Sequence, residues 1–483
     1  MKFAKYLSWS LGILSAVAAQ AQDDFALSLL RSVPQHSHLL PGSRPAVRAH
    51  FAPFGMSSIH VQLENDWFHP GMWFEEVDGR GVFQPERFLE DLEESNRLGY
   101  RQSLELLSLG FSTGRDQRDY WGISVRHAMH FGVGLPGDFL SLPWTGNAQW
   151  ERHGGVVNGG GLNFQFQQHL EGGVLWHRTW DERWSSGIRM KGILGLQFAG
   201  LRDVEWEWRT DSTTYAYTML GTGTLETSNL SALWDATTVG TSPDLLGIHQ
   251  IWEARNPGWG LDVGIEWRAK PGLATSLHLV DWGRIFWKSD PVVFTLEPSE
   301  WRFDGIQLGD ILDEEDLSQD SISGWGEAFF NQADSLAQWS KVDSGFTTRL
   351  PWTLRLQHRN ELYQTEAGKG GVAVQLQWSP HTESPAQRSF LGIAFYHEKG
   401  RGGWSLVGSM DDQKAFALGT AGSIQLGPVQ WYVSIDNLLV SRMVAFERQD
   451  PMGGGSTRLL FPYHAEYIQF HTGLQFVLRK KKE

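Results

Sequence analysis

Near the end of this chain, Tyr467–Leu478 changes side-chain character at almost every position. One set is Ile468, Phe470, Thr472, Leu474, Phe476 and Leu478; the interleaved set is Tyr467, Gln469, His471, Gly473, Gln475 and Val477. Successive side chains of a strand point to opposite faces, so the run is a strand with one apolar and one mostly polar face. At about 3.3 Å per residue it spans roughly 40 Å, whereas globular strands average about 5–6 residues. A tilted strand crosses a bilayer in about 9–11 residues. An apolar exterior and a polar interior on such a strand predict the closing strand of a transmembrane β-barrel.

The same alternation recurs upstream. Leu162, Phe164 and Phe166 interleave with Asn163, Gln165 and Gln167, and Ile188, Met190, Leu194, Leu196 and Phe198 with Arg189, Lys191 and Gln197. Val204, Trp206 and Trp208 alternate with Glu205, Glu207 and Arg209, and Leu261, Val263, Ile265 and Trp267 with Asp262, Gly264, Glu266 and Arg268. Val372, Val374 and Leu376 alternate with Ala373, Gln375 and Gln377; Val429, Trp431, Val433 and Ile435 alternate with Gln430, Tyr432, Ser434 and Asp436. Further strands are expected near Ser57–Asp66, Tyr100–Thr113, Tyr120–Phe131, Leu273–Trp287, Trp352–Tyr363, Phe390–Glu398, Trp404–Met410 and Ala415–Leu426, with a partner strand after Thr213. The tally is about 14 to 16, within a range of 12–16. Single-chain bacterial barrels use even numbers, and 14 is the count expected here.

The first residues set the compartment. Lys2 and Lys5 precede the apolar run Leu7–Ala19, and Ala19-Gln20-Ala21 is a small-x-small cleavage site before Gln22, the layout of a cleaved signal peptide. Cleavage between Ala21 and Gln22 removes Lys2 and Lys5 and no acid, leaving 39 basic against 55 acidic residues, a net charge of −16. That balance argues against nucleic acid as a partner. No later segment offers about 18 consecutive apolar residues, so helical spans are not expected. Cysteine is absent, which removes disulfides, thiolate nucleophiles and Cys-type zinc sites. The 24 Trp and 10 Tyr residues suit the two membrane–water interfaces.

Three units follow from this: a signal peptide over 1–21, an extended leader over 22–50, and one outer-membrane barrel over 51–483. The fold class is all-β, a transmembrane antiparallel barrel with short helices in loops or plug. One such helix is expected over Pro85–Asn96 and another around Ala333–Trp339; Leu225–Pro257 and Leu308–Ser344 read as large loops or plug elements. The candidate lumen-facing set is Arg189, Lys191, Glu205, Glu207, Glu266, Arg268, Gln375, Gln377, Gln469 and Gln475. Such residues could select a solute. Their mixed signs also suit ion pairs that close the lumen.

Motifs for other chemistry lack their context. Gly110-Phe111-Ser112-Thr113-Gly114 matches G-x-S-x-G, but a nucleophile elbow needs a strand-to-helix turn, and here a polar turn leads into another strand. Gly132-Val133-Gly134-Leu135-Pro136-Gly137 matches G-x-G-x-x-G, yet strand patterning is expected to resume after it, where a dinucleotide site needs a helix in a β-α-β unit. The acidic run Asp310, Asp313, Glu314, Glu315 and Asp316 lacks the ligand spacing and turn glycine of an EF-hand. His36 and His38 lack the spacing of a zinc helix. No catalytic, cofactor-binding or metal-ligating residue is assigned.

A set of ordered pieces resembles a Bacteroidota family of uncharacterised outer-membrane barrels known only as a domain of unknown function. The pieces are Pro136-Gly137-Asp138-Phe139-Leu140 with Thr145-Gly146-Asn147, Gly187-Ile188-Arg189-Met190-Lys191 with Gly195, and Gly258-Trp259-Gly260-Leu261-Asp262-Val263-Gly264. Asp281-Trp282-Gly283, Phe286-Trp287-Lys288, Arg302-Phe303-Asp304-Gly305-Ile306 and the stretch from Thr347 to Pro351 complete it. The resemblance implies an outer-membrane barrel similar in outline to FadL-type and PorV-type proteins, with no implied substrate or catalytic residue. The chain departs from outer-membrane strands that end on an aromatic, because Arg479, Lys480, Lys481, Lys482 and Glu483 follow Leu478. The expectation is a non-enzymatic outer-membrane barrel acting as a solute channel or transporter. The alternative is a structural scaffold of a surface secretion or adhesion machine. Expected partners are outer-membrane lipid, the barrel-insertion machinery, and either a small or hydrophobic solute or a protein of that surface machine.

Overall fold

A computed structural model describes residues 24–479 apart from 54, 56, 66–72, 78–79, 115, 146–155, 159–160, 212–216, 231–254, 304–338, 367, 381–388, 412–415, 437–442, 450–455 and 463–466. The signal peptide, the acidic run 310–316 and most of the helix expected around Ala333–Trp339 lie outside these residues. Trp339 itself opens a strand.

Fourteen antiparallel strands close into one barrel. They are β1 (Ala49–Ala52 and Ser58–Asn65), β2 (Ser95–Thr113), β3 (Asp119–Pro136), β4 (Asn163–Thr179) and β5 (Trp184–Thr210). Next come β6 (Tyr217–Ser228 and Asn256–Lys270), β7 (Leu273–Trp287 and Pro291–Phe303) and β8 (Trp339–Val342, Phe346–Arg349 and Thr353–Thr365). The last six are β9 (Gly368–Trp378), β10 (Phe390–Lys399), β11 (Gly402–Asp411), β12 (Phe416–Leu426), β13 (Val429–Asp436) and β14 (Tyr467–Leu478). Each pairs with its neighbour in sequence, and β14 closes on β1 through Phe51↔Phe476 and Val61↔Phe470. Closure removes the free edges that a membrane would penalise. At one end the strands meet in tight turns, where Gly272, Gly400 and Gly427 take positive φ, a conformation that costs glycine little. Longer connections lie at the other end, which by the usual barrel asymmetry is the extracellular one.

The alternation read from the sequence sets the two faces. On β14, Phe470 and Phe476 are 41% and 42% exposed, while Gln469 and Gln475 are fully buried. Ile265, Leu277, Leu356, Val374, Leu391, Ile393 and Phe395 continue an apolar exterior around the wall. The architecture is that of an outer-membrane β-barrel, and no helix among the described residues is long and apolar enough to cross a membrane.

Four expectations need correction. The alternation on β5 is not continuous: a register shift opposite Gln168/His169 turns Phe198 inward, and it joins Ile193, Ile285, Trp287 and Leu350 in a buried apolar cluster. The helix expected over Pro85–Asn96 is shorter, α3 (Pro85–Asp91), because Ser95 and Asn96 already pair in β2. The G-x-G-x-x-G run lies at the end of β3 and is followed by α4 (Gly137–Thr145), not by resumed strand. The neighbouring strands are antiparallel, so no β-α-β unit forms around that helix. Finally, Ala49 and His50 of the leader span pair in β1. The G-x-S-x-G run is a hairpin tip, with Ser112 Oγ accepting a bond from Arg44 Nη2 at 2.8 Å.

Residues 24–48 lie inside the barrel. They contain two one-turn helices, α1 (Phe25–Ser28) and α2 (His36–Leu39), joined by turns and almost wholly buried. This segment is a plug.

Candidate functional site

Turn bonds within the segment, such as Val33 N to Leu30 O, His38 N to Gln35 O and Ala46 N to Arg31 O, satisfy part of its backbone, and its one-turn helices leave the remaining amide and carbonyl groups in need of partners. The wall supplies the partners. Ser405 Oγ donates to Ala26 O at 2.7 Å, Arg359 Nη1 to Leu29 O at 2.9 Å, and Gln430 Nε2 to Ser32 O at 2.9 Å. The Ser32 amide donates to Glu398 Oε1 at 2.9 Å, and Glu398 pairs with Arg359 at 3.3 Å. Around these bonds Phe25, Leu27, Leu29, Leu30 and Val33 pack on Ala373, Phe390, Ala394, Tyr396, Val407 and Tyr432 of β9, β10, β11 and β13. This half of the plug is anchored by apolar burial.

The other half is held by charge. Glu266 on β6 receives Arg31 at 2.5 Å, Ser43 Oγ at 2.6 Å and Arg268 at 2.8 Å. Glu105 on β2 meets His38 Nε2 at 2.7 Å and Gln35 Nε2 at 3.2 Å. Arg189 donates to Ser37 O at 3.1 Å and Arg355 to Leu39 O at 3.2 Å. At its upstream end the Asp24 carboxylate lies 3.1 Å from His471 Nδ1 and 3.7 Å from His60 Nε2, on the strands of the barrel seam. Burial opposes ionisation of Asp24, but the facing His471 and His60 outweigh it and hold the carboxyl well below its usual range. Burial pushes the His36 imidazole down to about 4 despite the carbonyls of Val33 and Ser43 beside it.

One contact is backbone against backbone. Gly42 of the plug lies on Gly187 of β5 and Gly264 of β6, and a Cβ on any of the three would overlap the opposing chain. The Gly42 amide donates to His278 Nδ1 at 3.2 Å, and its carbonyl accepts from Ser185 Oγ at 3.1 Å and sits 3.1 Å from His177 Nε2.

Beside the plug, the wall carries a chain of ion pairs. Arg189 meets Asp262 at 3.1 Å, Lys191 meets Asp262 at 2.9 Å and also Asp281, and Arg126 meets Glu171 at 2.7 Å and Asp281 at 3.8 Å. Asp281 has φ 61° at a register shift between β6 and β7, and the bulge turns its carboxylate toward Lys191. Between this chain and the plug lies a cavity of about 80 Å³, reached by Asp24, His38, His60, Arg101, Ser103, Arg126, His130, His169, Glu171, Asp281, Thr353 and Arg355. Leu350 lies both in its wall and in the Phe198–Trp287 cluster.

Of the residues singled out in the sequence, Arg189, Lys191, Glu266, Gln375, Gln377, Gln469 and Gln475 are buried and joined to the plug or to the wall network. Arg268 is partly buried and paired with Glu266. Glu205 is exposed, and Glu207 is partly exposed and paired with Arg209, so neither reaches the network. A second register shift, at Thr222/Thr224 opposite β5, comes between these two and the lower strand. Sequence reasoning did not single out Arg101, Arg126, His130, His169, Glu171 or Asp281. The first five sit on strands whose alternation would have exposed them; Asp281 sits on a bulge that breaks it.

A family model described as a family of unknown function (DUF5723) matches residues 41–436. No curated protein matches the chain. Among solved structures, the chain is similar to a Pseudomonas aeruginosa FadL homologue, with a TM-score of 0.41 at 10% identity over 96% of this chain and 98% of that one. It is likewise similar to the Pseudomonas putida toluene transporter TodX (0.41, 6%, 96% and 100%) and, more distantly, to the β domain of the Bordetella autotransporter BrkA (0.29, 7%, 88% and 99%).

Proposed function

The chain belongs to the DUF5723 family of unknown function, and we propose that it is an outer-membrane transport barrel whose conduit is closed by residues 24–48 of its own chain. The observation that carries this reading is the two-sided docking of the plug. Apolar burial fixes α1 to β9–β13, whereas the stretch from Arg31 to Ser43 meets β2, β5, β6 and β8 through ion pairs and hydrogen bonds. Buried ion pairs contribute little net stability compared with apolar packing of equal volume. A permanent stopper would be better built from apolar side chains throughout. When the polar side parts from the wall along the face where the cavity lies, water can resolvate both partners of each pair, which does not happen when one partner is deleted in a closed site.

In this reading a small solute passes between the plug and β1–β8, and the protein catalyses no reaction. Planar-bilayer recording tests it. Wild-type protein is expected to show rare openings, and Glu266→Ala to show frequent ones. Silence from both proteins, together with no solute uptake into liposomes, would overturn the proposal.

One feature favours the scaffold alternative. Strand β5 has 27 residues, about 90 Å of extended chain, and its upper part pairs with Tyr217–Ser228, which in turn pairs with Pro291–Phe303. A sheet rising past the membrane belt suits a surface partner, and copurification of a stable stoichiometric partner from native membranes would support that role.

A further inference from the structure

We propose that the outer face of the wall binds the phosphate of an outer-leaflet lipid through Arg284 on β7 and Lys288 just past that segment. The assignment does not depend on whether the lumen conducts. Alternation puts Trp282, Arg284 and Phe286 on the lipid-facing side of β7, since Ile285 and Trp287 are fully buried. In register, Arg284 lies opposite Trp259 of β6. Its guanidinium sits 5.9 Å from the centre of the Trp259 ring, and Lys288 Nζ lies 6.0 Å from the centre of the Phe286 ring. Both residues are exposed, and among the described residues neither has a carboxylate within ion-pair distance. A cation resting on a ring face keeps N–H groups at its edge for an anion. Arg349, in register with Arg284 on β8, has an interaction of its own and is not counted.

Height on the wall narrows the ligand. Trp184 and Trp267 lie together near the tight turns with ring centres 6.2 Å apart, and Trp259 and Trp282 meet edge-on at 5.5 Å toward the opposite end. From Trp267 to Trp259 is about 26 Å of strand, or roughly 20 Å of height at a tilt of about 40°. Between them the lipid-facing side carries Ile265 and Leu277. Two aromatic girdles bounding an apolar band of about 25 Å mark the two membrane interfaces. Arg284 is thus level with the upper girdle and Lys288 lies beyond it, among the headgroups on the side of the long connections. The whole chain carries a net charge of −14, so its overall field does not draw an anionic headgroup. The attraction is local: the guanidinium offers a phosphate two parallel N–H bonds, and the ammonium adds a point charge. The acyl chains of such a lipid run down over Trp282, Leu277 and Ile265, apolar surface that a free phosphate would leave uncovered.

The test is native mass spectrometry of the full barrel released from detergent, with dioleoylphosphatidic acid as the probe. Dioleoylglycerol, which has the same chains without the phosphate, and inorganic phosphate are the comparisons. Retention of phosphatidic acid well above both is expected. Its apparent affinity should fall about tenfold or more in Arg284→Gln, as for loss of charge-assisted bonds, by less in Lys288→Gln, and recover in part in Arg284→Lys. Lys341→Gln removes another exposed cation that rests on a ring, that of Phe294, and should bind as wild type does. Heat-modifiable mobility on gels verifies that each variant is a folded barrel. Equal retention of dioleoylglycerol would mean that the chains alone bind, and equal retention of inorganic phosphate would mean a site for the free anion; either overturns the assignment. Unchanged affinity in Arg284→Gln overturns it too, as does an equal loss in Lys341→Gln, the mark of general charge attraction. A barrel that retains the lipid but neither conducts nor takes up solute would sink the transport reading and leave this one standing.

Discussion

Gly187→Ala isolates the plug from the barrel. The glycine has an ordinary strand conformation, so within the wall alanine is tolerated and even reduces the entropy of the unfolded chain by about 0.4–1 kcal/mol. The added methyl would overlap the Pro41 carbonyl, which belongs to the plug. Overpacking of this kind costs about 1–3 kcal/mol. If Gly42 retreats to make room, its contacts with His278, Ser185 and His177 lengthen from 3.2, 3.1 and 3.1 Å, each worth about 1 kcal/mol. The docked state should thus lose about 2–5 kcal/mol, a rise in the released fraction of about thirty-fold to several thousand-fold at 1.4 kcal/mol per decade. Two assays read this: trypsin cleavage at Arg31 of the detergent-solubilised barrel, and opening frequency in planar bilayers. Gly192→Ala is the matched control, because a Cβ there, on the same strand, meets nothing within 4 Å. Gly187→Ala protein as resistant and as silent as Gly192→Ala would refute the idea that this backbone contact seats the plug.

Glu266→Ala leaves Arg31 without its carboxylate in a nearly buried site, and breaking such a pair costs about 3–5 kcal/mol; faster proteolysis within 24–48, with an intact barrel band, is the expected result. On the lipid face, Phe470→Arg should cost about 2–4 kcal/mol toward mid-bilayer and lower the heat-modifiable fraction, whereas Phe476, paired with Val429 beside the turn between β12 and β13, sits near the rim where the cost falls to about 0–1 kcal/mol; normal assembly of Phe470→Arg would mean that the faces are reversed. For pH, the sign follows from His36 on the plug, whose imidazole is pushed down to about 4 in the docked state against about 6.5 when released. The docked form then binds fewer protons, so docking weakens as pH falls from about 6.5 to 4, by about 3 kcal/mol in all. Proteolysis of the plug at pH 7.5 and pH 4.5 measures it, and greater protection at low pH would show that the Val33 and Ser43 carbonyls outweigh burial.

Much of the wall was legible residue by residue. Period-two alternation is a local property, so Phe470 and Gln469 could be assigned to opposite faces from their own neighbours, and the number of such runs bounded the strand count at about 14 to 16, with evenness supplied by the general rule for single-chain barrels. The same reading failed where a strand departs from its period. The bulge on β5 brings Phe198 beside Trp287, and Asp281 turns into the lumen only because β6 and β7 slip register there. Register belongs to pairs of strands, and one strand's sequence does not contain it.

The plug marks the larger divide. Residues 24–48 carry no strand or helix period of any length, so in the sequence they read as an extended leader. Their partners are far along the chain: Arg31 meets Glu266 across 235 positions and Asp24 meets His471 across 447. Local composition determined that the chain makes a barrel with a polar interior. Closure of the barrel determined which polar groups share that interior, and the plug sits where backbone groups left over from its own turns, such as the Ser32 amide and the Ala26 and Leu29 carbonyls, and its charged Asp24 and Arg31 meet partners on the wall.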